Sequence, residues 1–314
     1  MRQSNIKISV IAPIYGVEKY IRRFAESVFS LEYENIEYVF VNDCTKDNSM
    51  SLLSETISRY PQRASCIKII NHEENKGLAG ARLTGINAST GDYVWLVDSD
   101  DYVNVNAINE AMPYMQKGID LICSNYYSVN NGNVKPVYIN KPSASSIITS
   151  KTSPSVWKYF IRRTLFFENN IFPIPGINNS EDHVLMSRLA LKANEIYYLA
   201  NSFFYYYDCS NIDSITHIFN SIRVENSAQD GIVVFDYYQE QGRLKEYKRE
   251  LVTMLTVRLY SVVQKSLEKN NYVEALISRI SLLDNFFGWL LKWNAWNPRL
   301  IAMLKKLYSK LYLR

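Results

Sequence analysis

The chain of 314 residues has only four cysteines, Cys44, Cys66, Cys123 and Cys209, far apart and with no C-x-x-C pair. That excludes a disulfide scaffold and a zinc ribbon, and fits a reducing cytosol. Long apolar runs are missing too. The longest, Phe286 to Leu291, is interrupted by Gly288, and a spanning helix needs ~20 residues. The apolar N-terminal stretch is broken by Pro13 and Gly16 and lacks a small-residue cleavage site, so no signal peptide is expected. No G-K-[ST] follows a glycine loop, which excludes a P-loop. Nor is one charge in large excess: 35 Lys and Arg stand against 31 Asp and Glu, net +4. Six of those basic residues (Lys292, Arg299, Lys305, Lys306, Lys310 and Arg314) lie within 285–314, where no acid occurs. The first 284 residues, with 29 basic and 31 acidic groups, are slightly acidic, so nucleic acid is not an expected partner. A hydrophobic share of 47% and a charged share of 21% exclude wholesale disorder.

What is present is an alternation of two periods. Ile6 to Ala12, Ile36 to Val41, Ile67 to Ile70 and Tyr93 to Val97 read as strands. Between them lie helical repeats: Val17, Ile21, Phe24, Val28 and Leu31; then Leu53, Ile57 and Tyr60; then Leu78 to Ala88. Strands separated by helices imply right-handed crossovers and a parallel sheet. After a helix near Val105 to Met115, residues Leu121 to Ile139 alternate around Asn130-Asn131-Gly132-Asn133, an antiparallel hairpin that makes the sheet mixed. Ser143 to Ser155, rich in Ser, Thr and Lys, reads as a mobile loop and a candidate acceptor loop. From Ile218 onward the pattern is helical. The expected fold is therefore α/β, a doubly wound mixed sheet in residues 1–217 followed by a helical region, 218–314.

In such a sheet the ligand crevice lies outside the carboxyl ends of the strands, and three of the four strand ends carry acids. Asp98-Ser99-Asp100-Asp101 is the densest. Carboxylates one residue apart can share a hard cation that also binds a diphosphate; a polar turn is the plain alternative. Asn178-Asn179-Ser180-Glu181-Asp182-His183 opens a helix: Ser180 could be a cap with acids in the first turn, or one acid could be a general base. Gly77 and Gly80 in Asn75 to Arg82 permit close backbone approach, and Lys76 or Arg82 could meet a phosphate. His72 and His183 read as solvated or structural, and His217 as a possible further metal ligand.

Taken in order, these pieces resemble the family 2 glycosyltransferases of GT-A fold. Ala12-Pro13-Ile14-Tyr15 is like P-x-Y-N, Val41 to Asp47 like V-D-D-G-S-x-D, and Asn75-Lys76-Gly77 with Ala81-Arg82 like N-x-G…A-R-N. Gly91-Asp92-Tyr93 runs into Asp98 to Asp101, Glu181-Asp182 with Arg188-Leu189 is like E-D…R-L, and Tyr205 to Tyr207 with Ser214-Ile215-Thr216 is like Y-x-Y…S-I-T. The resemblance implies an inverting, non-processive transferase of surface-polysaccharide synthesis. Pro13, Tyr15, Asp43 and Asp98 would line the nucleoside pocket of a nucleotide-sugar donor, most often a UDP-sugar, with Arg82 near the donor. Asp100, with Asp98, would hold a divalent metal, Mn2+ or Mg2+. Asp182 would be the base and Glu181 its support, acting on a saccharide or lipid-linked saccharide acceptor.

The chain departs from the pattern at Gly16 (Asn in the family), Asn42 (Asp), Cys44 (Gly) and Leu83 (Asn), and has no Q-x-x-R-W segment. Its basic tail, 285–314, carries Trp and Leu at helical spacing. That composition suits a helix lying on an anionic membrane as well as one packed on protein, giving a cytoplasmic location, peripheral to the membrane. The competing classes are a non-catalytic nucleotide-sugar-binding scaffold, which has no need of Asp100 or Asp182, and a sugar-1-phosphate nucleotidyltransferase, which wants a Gly-rich loop absent after the first strand.

Overall fold

In the computed structural model the described residues are 6–177, 180–211, 221–265 and 271–294, with single positions 299, 302, 303 and 306. The first hundred residues follow the expected alternation: β1 (Ile8–Ile14), α1 (Ile21–Phe29), β2 (Ile36–Asn42), α2 (Ser49–Ser58), β3 (Ile67–Asn71), α3 (Gly77–Ala88) and β4 (Tyr93–Leu96). Then come β5 (Tyr102–Val103), α4 (Ala107–Met115), β6 (Leu121–Asn130), β7 (Asn133–Val137), α5 (Ala144–Ile148), β8 (Tyr159–Arg162) and α6 (Arg163–Glu168). The chain continues through α7 (Glu181–Lys192), β9 (Ile196–Asp208), α8 (Ser221–Glu240), α9 (Lys248–Lys265), α10 (Asn271–Leu283) and α11 (Asn285–Asn294).

The strands form one mixed sheet in the order β3-β2-β1-β4-β8-β6-β9-β5, with β7 paired to β6. The four strands from β3 to β4 are parallel, and β8 runs antiparallel between β4 and β6. Every residue of β1 is buried, which is why it reads as a nearly unbroken apolar run. Helix α1 turns Ile21, Phe24, Ala25, Val28 and Phe29 inward, and α3 packs on β1 and β2 through small side chains such as Ala79 and Ala81. The β6–β7 turn takes Asn131 and Gly132 to φ +48° and +80°, the left-handed pair that a two-residue hairpin turn needs.

At the opposite edge from the strand carboxyl ends, Glu37 accepts from Ser9 Oγ at 2.5 Å and from the Thr90 amide at 2.6 Å, and pairs with Lys7. Burial pushes its carboxyl up, yet the bonds from Lys7, Ser9 and Thr90 prevail and hold it at about 2. A Cβ on Gly91 would meet Ser9 Oγ at 2.6 Å and Lys7 O at 2.8 Å, so this glycine lets the chain cross the clamp. That edge is structural.

Three features differ from the sequence expectation. Ser143 to Ser155 is not a loose loop: Ser143 and Ser146 close a capping box on α5, and Ile147, Ile148 and Thr152 are buried. A capping serine followed by two isoleucines is a helix start, and Ser and Thr content alone hid it. Strand β8 is four residues long, too short for its period to separate it from a buried helix turn. Strand β9 is 13 residues long, and register shifts at Asn125 interrupt its pairing with β6, which breaks the alternation.

Two compact units divide the chain. One comprises 1–142, 155–176 and 189–214 and contains all nine strands of the sheet; the other comprises 143–154, 177–188 and 215–314. The expected boundary at 217 falls outside the described residues. In the second unit α9 packs against α8 and α10, and α10 against α11. No helix among the described residues is long and apolar enough to cross a membrane.

Candidate active site

Because β1 to β4 are parallel, the segments after them share one edge of the sheet. Tyr15, beyond β1, is 55% exposed. Next to it Gly16 has φ +69°, a region that asparagine also reaches, so this departure from the family pattern preserves the backbone path. Its amide donates to Thr45 Oγ1 at 2.9 Å. Asn42 uses its amide in both directions: Nδ2 donates to Asn71 Oδ1 at 2.9 Å, and its own Oδ1 accepts from the Thr45 amide at 3.0 Å. An aspartate could make only the second of these bonds. Cys44 sits at φ +62°, where a non-glycine residue costs on the order of 1 kcal/mol.

Asp43 is buried, and three neighbours hold it. His72 Nδ1 lies 2.7 Å from its Oδ1, and the Lys76 amide donates to the same oxygen at 2.8 Å. Asn75 Nδ2 donates to the Asp43 carbonyl at 3.2 Å. Lys76 therefore serves this site through its backbone. The side chain of His72, read from sequence as solvated or structural, is 4% exposed.

The loop after β4 sorts its four side chains by alternation. Ser99 and Asp101 are buried, at 4% and 2% exposure, while Asp98 and Asp100 keep partial access. Ser99 Oγ donates to the Pro13 carbonyl at 2.6 Å, tying the loop to β1. Asp101 Oδ1 accepts from the Asp208 amide at 2.7 Å. The Asp98 amide donates to the Tyr205 hydroxyl at 3.0 Å, and that hydroxyl also hydrogen-bonds Asp101. Arg82, 1% exposed, donates to Asp98 Oδ1 at 2.8 Å. Asn211 Nδ2 donates to Asp100 Oδ2 at 2.9 Å. Arg23 lies over the Tyr102 ring at 4.5 Å and reaches both the Asp100 carbonyl and Asp208 Oδ2.

Burial, followed by the charge of Asp98, raises the Asp100 carboxyl above the ordinary aspartate value. Burial with the charges of Asp100 and Asp98 raises Asp101 further. The cluster's donors are all oxygen, as a hard divalent cation requires. Among the described residues no group of three or more His, Cys, Asp or Glu could hold a metal, so the two accessible carboxylates would need phosphate and water oxygens to complete an octahedron. His217 lies outside the described residues.

In the second unit, Glu181 and Asp182 open α7; Glu181 is buried and Asp182 partly exposed. The Val184 amide donates to the Ser180 carbonyl at 3.1 Å, placing Ser180 just before the helix. His183 is not solvated: its Nε2 lies 2.9 Å from the Ile148 carbonyl, and its Nδ1 3.6 Å from Asp230. Asp230, 0% exposed, takes two bonds from Arg258 at 3.0 and 3.1 Å. Burial lowers the Arg188 guanidinium to about 10.

A glycosyl transferase family 2 model matches residues 9–178, just over half of the chain and the stretch that holds every one of these strand ends. The chain belongs to this family. The transferase is 26% identical over 258 residues to EpsJ of Bacillus subtilis (strain 168), an uncharacterized glycosyltransferase, covering 76% of this chain and 72% of EpsJ. It is 27% identical over 212 residues to the poly(ribitol-phosphate) beta-N-acetylglucosaminyltransferase TarS of Staphylococcus aureus (strain MW2), covering 64% of this chain and 35% of TarS. A crystal structure of TarS residues 1–349 with UDP-GlcNAc superposes with TM-score 0.71 at 19% identity, covering 98% and 93% of the two chains. The mannosyltransferase PcManGT of Pyrobaculum calidifontis, in complex with GDP-Man and Mn2+, superposes with TM-score 0.56 at 12% identity, covering 98% and 88%. The fold is GT-A, with a helical C-terminal region, and the chain is a glycosyltransferase.

Sequence reasoning found the acids and missed what holds them. Tyr205 lies in the Y-x-Y motif, whose pattern does not show that its hydroxyl bonds the Asp98 amide. Arg23, Asp208 and Asn211 carried no local signal, because their partner Asp100 or Asp101 lies some 80 to 110 positions away.

Proposed function

We propose that the transferase moves one sugar at a time from a UDP-sugar to a hydroxyl of a saccharide or lipid-linked saccharide acceptor of a surface polysaccharide, with inversion at the anomeric carbon. One observation carries the reading: at the joint end of four parallel strands, Asp98 and Asp100 stay accessible while Ser99 and Asp101 are buried. The TarS complex with UDP-GlcNAc supports a uridine donor, and the PcManGT complex with Mn2+ supports a divalent metal.

In this reading Pro13, Tyr15, Asp43 and Asp98 receive the nucleoside, and Asp100 with Asp98 holds Mn2+ or Mg2+. Such a metal supplies Lewis-acid stabilisation of charge on the departing diphosphate. Arg82 keeps Asp98 oriented through their 2.8 Å ion pair. Asp182 takes the proton from the acceptor hydroxyl as that oxygen attacks opposite the leaving group, and Glu181 supports it. Attack from the opposite face inverts the anomeric centre. The test is calorimetric titration with UDP, GDP and dTDP, each with and without Mn2+. Metal-dependent UDP binding is expected; preference for GDP would change the donor and keep the chemistry, and no nucleotide binding would overturn the reading.

The enzyme would work at the cytoplasmic face of the membrane. Leu282, Phe286 and Trp289, spaced four and three residues apart along α10 and α11, are 65%, 71% and 54% exposed, and Lys292 follows them. The rest of the tail stripe lies largely outside the described residues. Removing 285–314 is expected to move the protein from the floating fraction with anionic-lipid vesicles to the bottom fraction in a flotation assay; unchanged partitioning would sink the membrane role.

A further inference from the structure

Asp43 is 3% exposed, and both bonds to its carboxylate fall on one oxygen, Oδ1. Two donors from different elements fix the plane of the group: the Lys76 amide at the start of α3, and His72 just beyond β3. Its Oδ2 takes no hydrogen bond among the described residues and is not one of their fully buried unpartnered atoms, so this oxygen keeps some contact with solvent. The carboxylate is therefore presented with one oxygen anchored and the other left for an N–H from outside the chain.

His72 is itself pinned at three points. Its amide donates to the Asn42 carbonyl at 2.9 Å. An ionised Asp43 can only accept, so Nδ1 supplies the proton of the 2.7 Å bond, and Nε2 lies 2.9 Å from the Thr84 hydroxyl oxygen. The side chain is 4% exposed. Thr84 stands on α3 two residues beyond Arg82, the partner of Asp98, so one stretch of α3 supports carboxylates at two strand ends.

We propose that His72 is a positioning residue for the nucleotide: it sets the orientation of Asp43 and thereby the affinity for the donor. This rests on the reading that Asp43 lines the nucleoside pocket. His72 touches no reacting atom, so its loss is expected in KM for the donor rather than in kcat.

The test compares His72→Asn with His72→Leu. The two side chains have the same number of heavy atoms and the same branching at Cγ, and both give up the Thr84 bond. Only asparagine keeps an N–H at the Nδ1 position. UDP with Mn2+ is titrated into wild type, both variants and Asp43→Ala. A hydrogen bond to a carboxylate is worth roughly a tenfold change, so His72→Leu is expected to bind UDP about tenfold more weakly than His72→Asn. Equal binding by the two variants, with Asp43→Ala weakened, overturns the proposal and leaves the pocket reading intact. UDP binding by Asp43→Ala at the wild-type level overturns the pocket reading itself. Should His72→Leu not fold, His72→Gln replaces it: its amide, one bond longer, misses the Nδ1 position, and asparagine-like affinity in that variant overturns the proposal.

Discussion

Asp182→Asn is expected to lower kcat by about 10²- to 10⁴-fold, the range over which a positioned general base contributes, and to leave UDP affinity within twofold of wild type. Asparagine has nearly the same shape, so α7 keeps its first turn, but an amide cannot take the proton of the acceptor hydroxyl. Glu181, buried beside Asp182, is expected to matter through the acceptor, with Glu181→Gln raising the acceptor KM. The measurement is initial-rate kinetics at saturating donor, paired with UDP calorimetry. A kcat within tenfold of wild type would take the base role away from Asp182.

Asp100→Ala is expected to abolish the gain in UDP affinity that Mn2+ provides, and to lower turnover by at least about 10²-fold, the several kcal/mol attributed to a Lewis acid at a leaving group. The geometry makes Asp100 the sensitive member of the pair. Asp98 already has a permanent cation in Arg82 at 2.8 Å, whereas Asp100 has the neutral amide of Asn211 and a carboxyl raised by burial and by Asp98. Metal-free UDP binding should be unchanged, because Tyr15 and Asp43 lie on other strand ends. Retained manganese dependence in the mutant would place the metal elsewhere.

The sheet was legible in the first hundred residues because short, nearly unbroken apolar runs, the mark of strands buried on both faces, are separated there by helical segments. The acids were legible because Asp98 to Asp101 directly follows a strand; which of them stay accessible is set by the turn they form, where the Asp101 amide donates to the Asp98 carbonyl. Illegibility had physical causes. Four-residue β8 shows too few periods to identify. Strand β9 changes register against Asn125, so its Tyr and Phe run reads as a block. The supporting bonds of Arg23, Asn211 and His72 are long-range, and local spacing carries no trace of them. The Ser and Thr content of 143–155 suggested a loop where a capping box and two buried isoleucines form a helix.

The Tyr205 hydroxyl, which accepts from the Asp98 amide and bonds Asp101, makes the order of assembly matter. More than a hundred residues separate that phenol from the loop it braces. During synthesis, then, β1 to β4 can pair while the loop after β4 still lacks its brace, and the loop becomes rigid only once β9 has been made and added to the sheet. Contacts of such sequence separation form late and slowly. A nascent chain ending near residue 150 would own β1 to β4 without the phenol that braces the Asp98–Asp101 loop, so this end of the sheet is completed in one late step rather than strand by strand.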